Sequence, residues 1–324
     1  MHIGGLMLME RQLSNARPQR APYHLTEKRK AQIKMLLIVL PFMIFVFIFS
    51  YLPLFGWSYA FMDYKPGVPF FKQEFVGLKY VRLMFSRVGY FPIALRNTLV
   101  LSGLGIIFSP VPMIFAIMLS RVSNNRISKT IQSVASFPNF ISWVIVYSLF
   151  FALFNTNDGA VNNILLNLGF IDQPTNILAN EKLAWYFQVA VDMWKGTGWN
   201  AIIYIAAMSG IDQELYDAAD IDGAGSFQKT LYITVPELTP TYFVLLLLSI
   251  SNMLSNGFEH YWVFQNPLVM DKLEVLDTYV YKVGIFNLQY SFSIAMGIFK
   301  SIISIFLLTF ANMFSKKIRG SSIF

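Results

Sequence analysis

The run Met35-Leu36-Leu37-Ile38-Val39-Leu40-Pro41-Phe42-Met43-Ile44-Phe45-Val46-Phe47-Ile48-Phe49-Ser50-Tyr51-Leu52-Pro53-Leu54-Phe55-Gly56-Trp57-Ser58-Tyr59-Ala60 holds no charged side chain. About 20 residues of helix cross a hydrocarbon layer of roughly 30 Å, so this stretch is long enough to span a bilayer. Pro41 and Pro53 predict a kink or an early end within it. On its N-terminal side lie 34 polar and basic residues, with Arg11, Arg17, Arg20, Lys28, Arg29, Lys30 and Lys34. The apolar run is too long for the core of a signal peptide, and no small-residue cleavage site follows it. On its C-terminal side five more apolar runs recur, at about 97–119, 131–154, 183–208, 240–253 and 292–314.

These runs predict an all-α polytopic membrane protein with about six transmembrane helices. The membrane domain covers 35–314, between cytoplasmic tails at 1–34 and 315–324. Free backbone groups find no partner in lipid, which leaves only helices or closed barrels. Continuous runs of this length exclude the alternating pattern of barrel strands. Pro138 falls near the start of the third span, Gly196 and Gly198 predict a break in the fourth, and the fifth is short. The segment 62–90 mixes charges with aromatics and Pro66-Gly67, which suits a small external loop with an interfacial helix. With both termini inside, Lys and Arg are more numerous on the inner side, through the N-terminal tail, Arg121, Arg126, Lys129, Lys229, Lys316, Lys317 and Arg319. That bias predicts an N-in, C-in orientation.

Composition agrees. Of 324 residues 55% are hydrophobic and 13% charged, against about 25% charged in soluble domains. Cysteine is absent, which excludes disulfides, thiolate catalysis and Cys-ligated metals. His2, His24 and His260 are too scattered for a metal site. The net charge of +7 reflects the basic bias of inner loops rather than a nucleic-acid partner.

Between the fourth and fifth spans the chain reads Ile211-Asp212-Gln213-Glu214-Leu215-Tyr216-Asp217-Ala218-Ala219-Asp220-Ile221-Asp222-Gly223-Ala224-Gly225-Ser226-Phe227-Gln228-Lys229-Thr230-Leu231-Tyr232-Ile233-Thr234-Val235-Pro236. This predicts a helix, a turn and a second helix. Asp212 is placed to cap the first helix, with Glu214 in its first turn. Gly223 is placed to stop it in a left-handed cap. Ser226 is placed to cap the second helix, and Pro236 to end it before span five. Ala218 and Ala219 leave a low surface that a partner can approach closely.

The loop resembles the signature of permeases of binding-protein-dependent ABC importers, which runs Glu-Ala-Ala, three residues, Gly, nine residues, Ile-x-Leu-Pro. Asp217-Ala218-Ala219, Gly223 and Ile233-Thr234-Val235-Pro236 match its spacing, with Asp217 replacing Glu and Val235 replacing Leu. The resemblance extends to maltodextrin-type sugar permeases, and within them to an oligosaccharide and uronate subgroup. It is carried by Tyr51-Leu52-Pro53, Phe61-Met62-Asp63-Tyr64, Trp194-Lys195-Gly196-Thr197-Gly198-Trp199-Asn200, Asn256 to Trp262, Gln265-Asn266-Pro267 and Asp277 to Tyr281. It implies that the loop 211–236 docks in an ATPase subunit through Glu214, Asp217, Ala218, Ala219, Gly223 and Pro236. It also implies a second homologous permease, an ATPase homodimer, an external solute-binding protein, a bacterial inner-membrane location and an oligosaccharide cargo, acidic ones such as alginate fragments among the candidates.

No Gly-x4-Gly-Lys-Ser/Thr loop is present, so ATP and Mg belong to the partner ATPase and the chain needs no cofactor of its own. Polar residues inside spans are costly and point to a pathway. The candidates are Gln188, Asp192, Lys195, Asn200, Ser249, Asn252, Asn256 and Lys300, with Trp194, Trp199 and Tyr204 as sugar-stacking faces. Asp192 and Lys195 can instead pair with each other. A membrane enzyme would need clustered acids or histidines at a membrane face, and the only such cluster, Glu214 to Asp222, belongs to the signature. A stand-alone secondary transporter would show inverted-repeat halves, which are not evident.

Overall fold

The computed structural model describes the backbone of residues 23–86 and 90–319 and the side chains of residues 28–86 and 90–313. The remainder of both expected tails lies outside the described residues. The chain divides into two units, one ending at Ser58 and the other beginning at Tyr59. In the first, helix α1 (Tyr23–Val46) runs through Pro41 and continues as a π turn, Phe47–Tyr51, and a 3-10 stretch, Leu52–Phe61. The proline therefore loosens the hydrogen-bond ladder without ending the span. Phe42, Phe45, Phe49 and Phe55 all stand exposed, as lipid-facing side chains do.

The second unit opens with a two-stranded hairpin, β1 (Met62–Asp63) and β2 (Glu74–Phe75), paired antiparallel. Gln73 closes it, accepting from Lys65 N and donating to Lys65 O and Val68 O. A short helix α2 (Lys79–Met84) follows. Helices α3 (Phe91–Ile107) and α4 (Val111–Ser120) form the second span. Pro110 and Pro112, which cannot donate to a ladder, sit where they join. Helix α5 (Asn125–Ser136) is capped by Asn124 and runs into a 3-10 turn, Phe137–Phe140, containing Pro138. There the chain bends by 104° into α6 (Trp143–Phe154). A short helix α7 (Ala160–Asn167) leads to α8 (Ala184–Met208), which is continuous.

The expected break at Gly196 and Gly198 is absent. A Cβ on Gly198 would lie 2.2 Å from Ala135 C and O and 2.5 Å from Ser136 N. Gly198 thus serves the close approach of α5 to α8, not a change of direction. Helix α9 (Gln213–Ile221) is followed by α10 (Ser226–Lys229), a π turn Thr230–Thr234 and α11 (Val235–Ser251). These last three pieces form one helix from Ser226 to Ser251. Pro236 therefore does not end a helix before span five. It falls in the first turn after the π turn, where its missing N–H and ring are accommodated.

Helices α12 (Phe258–Phe264), α13 (Met270–Leu273) and α14 (Leu276–Tyr281) then pack as a short cluster. Asn97 donates to the carbonyls of Asp271 and Glu274, and Leu276 N donates to Thr98. The last of the described helices is α15 (Tyr290–Arg319). Phe292, Ala295 and Met296 of α15 are buried, while Ile302, Ile305, Phe306, Phe310 and Met313 form an exposed apolar stripe suited to lipid.

Among the described residues four helical segments can cross a membrane by length and composition, Lys28–Phe61, Phe91–Ser120, Ser226–Ser251 and Tyr290–Met313, and a fifth if the bent pair counts as one span. The remaining expected span, the fourth, coincides with α8, a 25-residue helix that passes the length requirement but carries Asp192, Lys195, Gln188 and Asn200. The all-α polytopic class stands; a count of six is not established.

Candidate functional site

Two features stand out in the second unit. The first is the loop after α8. Asp212 Oδ1 accepts from Glu214 N at 3.0 Å, capping α9. Gly223 has φ +76°. Gly223 N donates to Asp220 O at 3.1 Å and Ala224 N to Ala219 O at 2.9 Å, the double bond of a Schellman stop. Ser226 does not cap the next helix. Gln228 reaches back to Gly225 N at 2.7 Å, which frees the Ser226 hydroxyl to accept from Arg121 at 2.7 Å. The loop is braced internally by Tyr216 with Thr234 and by the Lys229–Asp220 ion pair. Glu214, Asp217, Ala218, Gly223 and Pro236 are exposed and Ala219 half-buried. Ile221, Phe227 and Tyr232 project at 88%, 78% and 73% exposure. A braced helix flanked by bare apolar side chains is a docking surface in form.

The second feature is a cavity of about 390 Å³ between α3, α4, α8 and α11. Of the expected pathway residues, Asp192, Asn200, Ser249, Asn252 and Asn256 line it, and so does Tyr204. Ser102, Ser109, Thr197, Tyr242, Ser255 and Tyr261 complete its polar wall and were not anticipated. Ser102 and Ser109 lie at i, i+7 in an apolar span, a spacing that marks one face. Asn256 donates to Ser102 Oγ at 3.0 Å, and Ser109 and Tyr242 share a hydrogen bond of 3.1 Å.

Gln188, Lys195 and Lys300 do not line the cavity. Lys195 is 7% exposed and donates to the carbonyls of Pro138, Asn139 and Ile141 at 3.0, 2.8 and 2.7 Å. At the 104° bend Pro138 O also accepts from Ile141 N at 3.1 Å, and an ammonium, with three protons to give, serves all three carbonyls at once. None of the described ion pairs joins Lys195 to Asp192. Gln188 Oε1 meets His260 Nε2 at 2.7 Å, and the His260 ring stacks on Trp143 at 3.8 Å. Lys300 is paired with Asp277, which also accepts from Gly257 N. Trp194 and Trp199 pack on Phe150 and Phe140. Among the described residues no group of three or more His, Cys, Asp or Glu could hold a metal.

The sequence of this unit matches a known family. Residues 109–320 match the inner membrane component of binding-protein-dependent transport systems. The chain belongs to this family. It is 37% identical over 289 residues, 89% of this chain and 89% of the relative, to the polygalacturonan/rhamnogalacturonan transport system permease protein YteP of Bacillus subtilis (strain 168). It is also 37% identical over 291 residues, 89% of this chain and 90% of the relative, to Protein LplB of the same organism. Among solved structures, a chain of the bacterial alginate ABC transporter in complex with an alginate pentasaccharide-bound periplasmic protein superimposes with a TM-score of 0.83. That chain is 30% identical, with 92% of this chain and 99% of that chain covered. Members of such a family are non-enzymatic membrane subunits of ABC importers, so the exposed acids of α9 need no catalytic role.

Proposed function

We propose that this chain is one permease subunit of an ATP-driven oligosaccharide importer, that its cargo is an acidic oligosaccharide, and that cargo passes through the cavity between α3, α4, α8 and α11. One observation carries the mechanism. The helix that begins beside the exposed loop at Ser226 reaches the cavity wall at Tyr242, Leu245 and Ser249 without a break. Movement of a partner ATPase seated on α9 then reaches the cavity as motion of one rigid rod, and the cavity opens alternately to either side. ATP and Mg are handled on an ATPase homodimer. A second homologous permease closes the cavity, and an external binding protein delivers cargo to the outer segments 62–90 and 256–290. On this reading both termini lie on the cytoplasmic side of a bacterial inner membrane. The relatives named for polygalacturonan and alginate transport support a uronate cargo.

A second reading, a neutral oligosaccharide, is favoured by the lining itself, which holds Asp192, hydroxyls and amides and no Lys, Arg or His. Uptake by proteoliposomes holding the complete importer separates the two. Saturable ATP-dependent uptake of trigalacturonate is expected. Uptake of maltotriose alone would refute the acidic cargo, and uptake of neither would refute the sugar reading.

A further inference from the structure

The cavity wall of this chain carries one carboxyl group and no basic group among its lining residues. Asp192 is exposed to the cavity, on the middle of α8. The nearby cations do not line the cavity. Lys195 gives its protons to the three carbonyls of the bend behind α8, and Lys300 is held by Asp277 on the α14 side. His260 is buried against Trp143 and bonded to Gln188. With Asp192 the cavity wall holds neutral donors and acceptors, Asn200 on α8 itself, Ser102 on α3, Ser249 on α11 and Asn252 just past its end. A carboxylate accepts through two oxygens and is therefore matched to a pair of adjacent sugar hydroxyls. A cargo carboxylate in the same place meets a like charge at low dielectric, or one of the two groups must take up a proton. Both outcomes disfavour it.

We infer that Asp192 is a specificity-determining residue that binds the hydroxyl-bearing face of a sugar unit and turns cargo carboxylates away from this wall. The inference rests on the oligosaccharide reading above. An acidic chain then crosses with its carboxylates turned away from Asp192. Selection against a charge is as much part of specificity as attraction to a hydroxyl.

The test uses two cargoes that differ only in charge, an oligogalacturonate and the same oligomer with its carboxyl groups reduced to alcohols. Uptake of each is measured in proteoliposomes holding the complete importer, with wild type, Asp192→Asn and Asp192→Glu. Asp192→Asn is expected to shift the ratio of acidic to neutral uptake toward the acid by about tenfold or more, the scale of one close like-charge contact. Asp192→Glu, which keeps the charge, is expected to hold the ratio within about twofold of wild type. An unchanged ratio in Asp192→Asn, a proportional fall of both uptakes, an equal shift in Asp192→Glu, or failure of both variants to assemble would overturn the role assigned to Asp192. Wild type that carries neither cargo would instead overturn the oligosaccharide reading, and this inference with it.

Discussion

Lys195 and Asp192 lie three positions apart on α8 and do different work. Lys195 donates to the three carbonyls gathered at the bend by Pro138, and its ammonium also sits 5.2 Å from the Trp143 ring centre. Lys195→Met would leave three carbonyls without that donor. A buried group deprived of its partner costs about 1–3 kcal/mol, so a clear fall in the melting temperature of the detergent-purified protein is expected. Asp192→Asn, at an exposed position, should leave melting within about 0.5 kcal/mol of wild type. Equal losses in the two variants would restore the alternative in which the residues pair. The sequence shows both as charges on one helix. It does not show which faces a cavity, because the three carbonyls come together only once the neighbouring chain has bent. For the same reason Gln188 and Lys300 read as pathway residues until their partners, His260 and Asp277, are seen.

At the scale of elements, two glycines of α8 have opposite tolerances. Gly198→Ala drives a methyl group into the backbone of Ala135 and should cost about 1–3 kcal/mol through overpacking. Gly196→Ala meets only the Asn200 side-chain amide, at 3.3 Å, which can move. Comparison of expression and melting of the two variants checks this; equal tolerance would deny the close packing of α5 on α8. Between the first two candidate spans, the hairpin is fastened to α2 by Tyr80, whose hydroxyl donates to Asp63 Oδ1 at 2.6 Å. That bond is the main reason the Asp63 carboxyl is held below its ordinary value of 3.8. Burial, and then the same bond, pushes Tyr80 up to about 12 from 10. A lowered carboxyl stabilises above its ordinary value and loses that effect as pH falls through the lowered one. A raised phenol stabilises fully below pH 10 and loses the effect as pH rises toward 12. Melting should therefore weaken at both ends of the pH range, and Tyr80→Phe should remove the alkaline limb. An unaltered alkaline limb in that variant would show that Tyr80 is not its source.

For the whole molecule, the membrane class was legible because lipid forces long uncharged runs, and the stretch from Met35 to Ala60 announces it. Helix α8 was legible as a span from its length, yet its polar face keeps it outside a count by composition. The helix of span five starts at Ser226, ahead of the expected start near Pro240, because Pro236 reads as a stop in sequence while the π turn at Thr230–Thr234 carries the helix past it. The cap at Asp212 and the stop at Gly223 were legible because both follow from local backbone chemistry. The account stands on that braced loop being the seat of an ATPase. The most direct measurement is cargo-stimulated ATP hydrolysis by the reconstituted importer carrying Ala218→Arg, an exposed position where a large charged side chain leaves the fold of the permease intact. The predicted result is loss of stimulation and of uptake, with the permease still present in the membrane at wild-type yield. Wild-type stimulation by the Ala218→Arg importer would contradict the account.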